Sequence, residues 1–279
     1  MRGKALQKIF PALGTVNAIT LYDSPAPEIA EQVKKRVLDL HRRFSFFDQG
    51  SDIFRINEQA GMKAAPVHQD TFFILFHALA YGRETQGAFD ITSGAASRLW
   101  RDAVRLAQIP SEPDIAGSRS LIGLDDLILD KADGAAFLRR KGQQIDLGGT
   151  VIALGREQKI GIQNPFQKSG VSMADLMVKN KAVVTSGSYE RGFFFEGVRY
   201  HHIIDPRTGW PADSGLLSVT LIGDSAMELD ALATGICVLG EKNGLPLLER
   251  RGIEAVFISN DGEIKITRGL QGKFFLKSN

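Results

Sequence analysis

Two groups of side chains in the second half of the sequence have the types and spacing that chemistry requires. Asp230 and Thr234 are four residues apart, and in a helix this spacing puts both on one face, a turn apart. A carboxylate and a hydroxyl placed in this way offer two hard oxygen ligands to one Mg²⁺ or Ca²⁺. The same spacing is also typical of a surface aspartate beside a threonine that hydrogen-bonds to its own helix. The two residues alone leave both interpretations open.

The second group is a pair of adjacent histidines, His201 and His202, directly before the β-prone Ile203-Ile204. Strand alternation sends neighbouring side chains to opposite faces, so at most one of the two histidines points at any given pocket. The residues that follow, Asp205 to Gly209, read DPRTG, a turn whose backbone is fixed by its proline and glycine. We therefore expect polar groups to be held rigidly at the end of a strand.

A strand and a helix must position the first group. Leu216 to Ile222 is an apolar run that predicts a strand. Asp224-Ser225 then supplies good N-cap residues for a helix pattern that ends at Gly240, a typical residue just past a helix C-terminus. Cys237 falls on the apolar side of this helix, where we expect a small buried hydrophobe. Because it is the single cysteine, an intrachain disulfide framework is excluded.

These stretches, together with others along the chain, resemble the motifs of the FAD:protein FMN transferase family, the ApbE or thiamine-biosynthesis lipoprotein group. The matching stretches are in the family's order and span nearly the whole chain. They are Leu13-Gly14-Thr15, FSFFDQGSDIFRIN (44–57), GAFDITSG (87–94) with Leu99-Trp100, VVTSGSYER (183–191), HHIIDPRTGWPA (201–212), SVTLI (218–222) and LDALATGICVLG (229–240). Several motifs in the right order are far more specific than any one of them.

The resemblance implies Mg²⁺-dependent transfer of FMN from FAD to a threonine hydroxyl of a partner flavoprotein, with release of AMP. It favours His202 as the group that deprotonates or orients the attacking hydroxyl. Matched by motif position, the remaining site residues are Asp230, Thr234 and Thr150 as metal ligands, and Asn57, Asp90, Ser186, Tyr189 and Asp205 in the nucleotide pocket.

The fold that the resemblance implies is α+β, with a mixed or antiparallel sheet core, helices packed on its faces, and an ApbE-like (T-fold-like) architecture. The chain has 279 residues, 43% hydrophobic and 24% charged, which is ordinary for a globular protein. No Ser/Pro-rich linker separates two halves, so we expect a single domain over residues 1–279. The net charge of +2 lacks the basic footprint of a nucleic-acid binder.

Local patterns predict further elements. We expect a strand over Thr15–Tyr22 and a short helix over Asp52–Asn57 capped by Ser51. Asp133-Gly134 is a hairpin signal between Leu127–Leu129 and Ala135–Leu138, and Pro110–Pro113 is expected to be a loop. The other predicted helices cover Ala26–Phe44, Asp70–Gln86 and Gly94–Leu106.

One departure from the family pattern follows Ile145–Gly149, which reads IDLGG. The family continues with a Lys-Gly-Tyr helix, a strand and a second Gly-Gly, whereas Thr150–Gly155 resembles the segment after that second pair. We therefore expect one helix and one strand to be absent. This departure keeps two alternatives open: an FAD-binding protein without transferase activity, and an FAD pyrophosphatase that yields FMN and AMP.

The sequence predicts no transmembrane segment, because its most apolar window, Phe72 to Tyr81, is too short to span a bilayer. The first ten residues, MRGKALQKIF, are basic, with no apolar run of signal-peptide length after them. As the sequence stands we expect a cytoplasmic protein. If an export segment lies outside it, we expect the periplasm, which is the habit of the family.

Overall fold

The computed structural model describes residues 5–22, 26–147, 157–168 and 170–277. The chain folds into two compact units, residues 1–77 with 125–149 and residues 78–124 with 150–279. The single-domain assignment remains a prediction. Thr150 and the Gly148-Gly149 pair lie outside the described residues, and so does the point where we expect a helix and a strand to be missing.

The fold is α+β, as the resemblance implies, and every strand pairing within the described ranges is antiparallel. The helices are α1 (Pro27–Phe44), α2 (Asp52–Glu58), α3 (Gln69–Glu84), α4 (Gly94–Leu106), α5 (Glu112–Ser120), α6 (Ala226–Leu239) and α7 (Glu241–Arg251). The strands are β1 (Leu6–Ala12), β2 (Thr15–Leu21), β3 (Ala65–Pro66), β4 (Leu127–Asp130), β5 (Ala135–Leu138), β6 (Gln158–Gln163), β7 (Ser172–Val178), β8 (Ala182–Gly187), β9 (Gly192–Phe195), β10 (Val198–His201), β11 (Leu216–Gly223), β12 (Glu254–Ser259), β13 (Ile264–Ile266) and β14 (Phe274–Leu276).

The second unit is built around a four-stranded sheet with the order β13-β12-β11-β8. One face packs against α6 and α7, through residues such as Val219 and Leu232. The other face packs against the β14-β7-β6 sheet, through residues such as Val256 and Leu176. Because both faces are covered, β11 is buried along almost its whole length, including the polar Ser218 and Thr220. This doubly covered sheet is the rigid platform for α6.

A third apolar cluster of this unit holds the β9–β10 hairpin against α4 and α5. Trp100 of α4 is fully buried, and its ring stacks on Tyr200 of β10 with centroids 5.8 Å apart. The Trp100 indole N–H donates to the carbonyl oxygen of Gly209 over 2.8 Å, so both its apolar ring and its polar atom are satisfied. The aromatic anchor therefore connects α4 to the hairpin and to the turn after it.

The first unit combines the β1–β2 ribbon, the β3-β5-β4 sheet and helices α1 and α2. Ser51 caps α2 as predicted, since its hydroxyl oxygen accepts a hydrogen bond from the Phe54 N–H over 2.9 Å. The predicted hairpin between β4 and β5 is also present. None of the helices in the described part of the chain is long and apolar enough to cross a bilayer.

The loop expected over Pro110–Pro113 is wrong in its second half, because α5 begins at Glu112. Ser111 is its N-cap and accepts from the Asp114 N–H over 3.3 Å. A proline in the first turn of a helix loses no hydrogen bond, since the first N–H groups have no partner inside the helix. Pro113 is therefore a helix-start residue, although it reads locally as a loop signal.

Candidate active site

The candidate site of the second unit begins where α6 packs against the end of β8. Asp230 and Thr234 lie on α6, and both side chains are partly exposed on a helix that is otherwise largely buried. The Thr234 hydroxyl lies 3.2 Å from the Ser186 hydroxyl of β8. Thr234 is thus bonded to a neighbouring strand, and the structure brings two of the predicted site residues into direct contact.

Cys237, about one turn after Thr234 on α6, also contacts Ser186. Its thiol donates to the carbonyl oxygen of Ser186, with sulfur and oxygen 3.5 Å apart. The burial expected for this cysteine is confirmed, and burial raises the pKa of its thiol to about 12, so that it stays protonated. Ser186 is therefore fixed to α6 by its hydroxyl and by its backbone.

Gly235 brings the same helix against the turn that leads to Asp90. A Cβ atom at Gly235 would lie 2.9 Å from Cγ2 of Thr85 and 3.3 Å from Cβ of Phe89. The Thr85 hydroxyl in turn accepts from the Phe89 N–H over 3.1 Å, which closes the turn after α3. Only a residue without a side chain allows this approach.

Asp90 is buried directly after that turn and has a structural task. Its Oδ1 accepts from the backbone N–H of Thr92 over 2.7 Å and from the Thr92 hydroxyl over 2.6 Å. The Thr92 hydroxyl also accepts from the Gly123 N–H over 2.8 Å. The carboxylate thus orders the start of α4, and its place in a nucleotide pocket remains a prediction.

The two histidines bond to different segments, as strand alternation predicts. His201, the last residue of β10, is buried and contacts Ala212, whereas His202 is half-buried and contacts Arg191. Nδ1 of His202 lies 3.3 Å from the carbonyl oxygen of Arg191. Because a carbonyl oxygen only accepts, Nδ1 carries the proton and Nε2 is the unprotonated atom of the neutral ring. Within the described ranges, Nε2 has no hydrogen-bond partner.

Burial lowers the pKa of His202 below its usual 6.5, and the positive charges of Arg191 and Arg101 lower it further. The bond to the Arg191 carbonyl acts in the opposite direction. The imidazole is consequently neutral at neutral pH. A neutral ring with an available Nε2 is the state that a general base requires.

Tyr189 follows Ser186 on the segment between β8 and β9. Its ring packs on Gly187, where a Cβ atom would meet Cε1 of Tyr189 at 2.4 Å. Burial, with the nearby Glu190 carboxylate as a second cause, raises the pKa of Tyr189, so its hydroxyl stays protonated. Arg199 of β10 donates to the carbonyl oxygens of Ser188 (3.3 Å) and Tyr189 (2.9 Å). The segment from Ser186 to Tyr189 is therefore held from both sides.

Asp205 organises the turn predicted after the histidines. Its carboxylate accepts from the backbone N–H of Arg207 over 2.9 Å and from the guanidinium over 2.8 and 2.7 Å. Its carbonyl oxygen accepts from the N–H of Gly209 over 2.8 Å, and Gly209 has a φ of 78°, which favours glycine. The rigid turn is present, while contact of Asp205 with a nucleotide stays a prediction.

Asn57 belongs to the first unit, where its side-chain amide bonds to both backbone groups of Ile145. Nδ2 donates to the carbonyl oxygen of Ile145 over 3.1 Å, and Oδ1 accepts from the Ile145 N–H over 2.7 Å. The Ile145 side chain is fully buried. The two bonds reproduce strand pairing with a single side chain, so Asn57 fixes the backbone that leads to Gly148-Gly149.

The Mg²⁺ ion expected from the resemblance would find some of its usual oxygen ligands on α6 and the end of β8. Asp230 supplies a carboxylate one helical turn before Thr234, whose hydroxyl lies 3.2 Å from that of Ser186. Mg²⁺ is commonly bound by one or two carboxylates together with water and substrate phosphates. Among the described residues no group of three or more His, Cys, Asp and Glu side chains is arranged to hold a metal ion. The metal assignment of Asp230, Thr234 and Thr150 stays a prediction.

Sequence reasoning did not find three residues that shape this site: Gly235, Cys237 as a partner of Ser186, and Arg199. Gly235 and Cys237 lie in a stretch whose sequence predicts only a buried helix. Arg199 carried a usable signal, because it stands two residues before His201 on a strand and hence on the same face. A half-buried arginine within such a strand requires acceptors, and here the carbonyl oxygens of Ser188 and Tyr189 supply them.

Comparison with known proteins identifies the family of this chain. The model of the ApbE family matches residues 13–155 and 143–257, and the two matches overlap over residues 143–155, the segment around the departure described above. A protein of Klebsiella pneumoniae (strain 342) named FAD:protein FMN transferase is 30% identical over 267 residues, covering 84% of each chain. One of the same name from Treponema pallidum is 29% identical over 310 residues, covering 92% of this chain and 85% of that one.

Solved structures agree with this result. The crystal structure of the ApbE protein from Thermotoga maritima has a TM-score of 0.87 at 26% identity, covering 99% of this chain and all of the other. The flavinyl transferase ApbE of Pseudomonas stutzeri, at 24% identity and a TM-score of 0.81, shares the fold. The chain belongs to the ApbE family of flavin transferases.

The double hydrogen bond of Asn57 generates a stability prediction. Asn57→Ala leaves the buried N–H and carbonyl of Ile145 without these partners, so the free energy of unfolding should fall by about 2–4 kcal/mol. Amide hydrogen exchange at Ile145 should become faster. Glu58→Ala, an exposed change on the same helix, is the matched control and should stay within ~0.5 kcal/mol. Equal stability and exchange in the two variants would contradict the role given to Asn57.

Proposed function

We propose that this protein transfers FMN from FAD to a threonine hydroxyl of a partner flavoprotein and releases AMP. The observation that carries the proposal is the contact between Ser186 and Thr234, one helical turn beyond Asp230, in a chain that belongs to the ApbE family. Hard oxygen donors from a strand end and a helix face meet there. Such a donor set suits a metal-bound pyrophosphate.

The reaction is a substitution at the phosphorus atom of the FMN half of FAD. The threonine oxygen forms a new bond to that phosphorus, and the bond from phosphorus to the oxygen that bridges to the AMP phosphate breaks. AMP leaves with the bridging oxygen, and the threonine proton passes to a base. Mg²⁺ held by Asp230 and Thr234, with Thr150 as the further ligand, would offset the charge on the pyrophosphate.

His202 is the base in this proposal, and Nε2 is the atom that takes the proton. Its Nδ1–H is directed to the Arg191 carbonyl, which holds the ring in the tautomer that leaves Nε2 available. Asn57, Asp90, Ser186, Tyr189 and Asp205 are proposed to line the nucleotide pocket. For Asn57, Asp90 and Asp205 the contacts described above support a role in shaping backbone rather than in direct binding.

Two other activities would use the same pocket. A protein that only binds FAD leaves the dinucleotide intact, and a pyrophosphatase lets water replace the threonine hydroxyl and releases free FMN. The overlap of the two family-model matches over residues 143–155 is the reason to keep both as outcomes of the test. Product analysis separates all three activities.

The first test of function follows the products and the metal. The protein is incubated with FAD, Mg²⁺ and a threonine-containing acceptor protein, and intact mass and nucleotide products are measured. We expect AMP in an amount equal to the FMN attached to the acceptor. Asp230→Asn should lose the Mg²⁺-dependent rate and keep the fold, because a partly exposed carboxylate is replaced by an amide of equal size.

The matched control is Asp224→Asn, an exposed carboxylate just before α6 that pairs with Lys181. It should transfer FMN at the wild-type rate. Wild-type activity in Asp230→Asn would remove Asp230 from the metal site. Intact FAD at saturating Mg²⁺ would leave only the binding protein, and free FMN with AMP would indicate the pyrophosphatase.

The second test concerns His202 and pH. Its pKa lies below 6.5, and a base acts in its neutral form, so the rate should be level above pH 6.5 and fall as pH drops through the pKa. His202→Ala should lose roughly two to four orders of magnitude in rate while FAD affinity is kept. The kcat profile between pH 4.5 and 8 measures this. If His202→Ala is still active and its kcat falls at low pH in the same way as that of the wild type, another group is the base.

A further inference from the structure

His201, the histidine that the proposed chemistry does not use, is 6% exposed and has both ring nitrogens bonded. Nδ1 accepts from the Ile203 N–H over 3.2 Å, and Nε2 lies 3.0 Å from the carbonyl oxygen of Ala212. An N–H must meet an acceptor and a carbonyl must meet a donor. The ring therefore satisfies both contacts only as the neutral tautomer with the proton on Nε2.

The two contacts connect the end of β10 to the chain that returns after the Asp205 turn. From the other side, the Ala212 N–H donates to the Ile203 carbonyl over 2.9 Å, and Ile204 forms an isolated antiparallel bridge with Pro211. Ile203 is thus held through both of its backbone groups. His202 sits between the ring of His201 and this fixed residue.

The hydrogen bonds that His202 itself makes are long. Its backbone N–H and its Nδ1 both point to the carbonyl oxygen of Arg191, and each lies 3.3 Å from it. Two long bonds that share one acceptor orient a ring weakly, because hydrogen bonds weaken with distance. The orientation of His202 therefore depends on how firmly its two chain neighbours are held.

We propose that His201 is a positioning residue, whose ring connects the Ile203 N–H to the Ala212 carbonyl and thereby fixes the orientation of His202. We call these two hydrogen bonds the clip. This inference rests on the proposed function, in which His202 is the base. Active sites keep a reacting side chain in place through neighbouring residues that orient it. The two adjacent histidines then have separate tasks, one in the chemistry and one in the backbone.

The clip works only while the ring is neutral. Burial lowers the pKa of His201 to about 4, although the hydrogen bond to the Ala212 carbonyl acts in the opposite direction. The positive charge of Arg199, and that of His202 when it is protonated, lower this pKa further, and the carboxylate of Asp213 raises it. A protonated ring would set an N–H against the Ile203 N–H. With a pKa of about 4, the ring is neutral and both hydrogen bonds are present at neutral pH.

Two substitutions separate the halves of the clip. In His201→Asn, the side-chain oxygen can still accept from the N–H two residues on, as in an Asx turn, but the side chain is too short to reach Ala212. In His201→Gln, the longer amide donates to the Ala212 carbonyl and gives up the Ile203 contact. His201→Leu removes both contacts at similar volume.

The test measures His202 directly, without FAD, by ¹⁵N NMR of the imidazole rings, together with amide exchange at Ile203. Wild-type protein should show His201 as the Nε2–H tautomer and His202 as the Nδ1–H tautomer. In His201→Leu, His202 should become a mixture of tautomers and Ile203 should exchange faster. The Asn and Gln variants should lie between these limits. Circular dichroism and thermal unfolding select the variants that fold.

Kinetics supply the second readout. Misplacing a reacting group by about 1 Å costs on the order of 100-fold, so the folded variants should lose about 10- to 100-fold in kcat with an unchanged KM for FAD. A folded variant with wild-type His202 tautomer and kcat overturns the proposal. If wild-type protein transfers no FMN, the proposed function fails, and the NMR arm still decides whether His201 orients His202.

Discussion

The close approach of α6 to its neighbours is the constraint on which the candidate site depends. Gly235 lets the helix touch Thr85 and Phe89, and on the strand side Thr234 and Cys237 both bond to Ser186. The sheet beneath is buried on both faces, so it cannot shift to accommodate a larger residue. The position of α6 therefore sets where Asp230 and Thr234 stand relative to β8.

In both units, some polar side chains hydrogen-bond to backbone groups. Asn57 pairs with Ile145, Arg199 with two carbonyl oxygens, and His201 with Ile203 and Ala212. The bonds of Arg199 and His201 order segments that contain a residue with a proposed role, Tyr189 in one case and His202 in the other. Preorganised groups of this kind lower the free-energy cost of orientation at the moment of reaction.

Local pattern was sufficient for elements whose start and end signals agree with their periodicity. The bounds of α4 were predicted to the residue, and the Ser225 cap of α6 is in place. Helix α5 was missed because Pro113 at its start resembles a loop signal, and no element was predicted over α7, which contains Pro246 and Gly244. In α5 the proline suits the first turn, whereas in α7 the packing of the buried Leu247 and Leu248 outweighs residue preference.

The candidate site was predictable in its residue types but not in its contacts. The resemblance assigned Ser186 to the nucleotide pocket and Thr234 to the metal, and these roles stay predictions, while the contact between their hydroxyls is seen only in the structure. Asn57 and Ile145 are 88 residues apart along the chain, and no periodicity within one segment reveals such a bond. The same holds for the packing of Gly235 on Thr85, which exists only once the turn after α3 meets α6.

The rate of AMP release from FAD in Gly235→Ala tests this account most directly. The added methyl group meets Thr85 and Phe89 within 3.3 Å, so it should shift α6 and lower the rate at least tenfold, with a weaker dependence on Mg²⁺. Gly117→Ala is the control, because nothing lies within 4 Å of its Cβ position in α5, and it should match wild type. Wild-type AMP release by a folded Gly235→Ala protein would contradict the claim that the position of α6 defines the site.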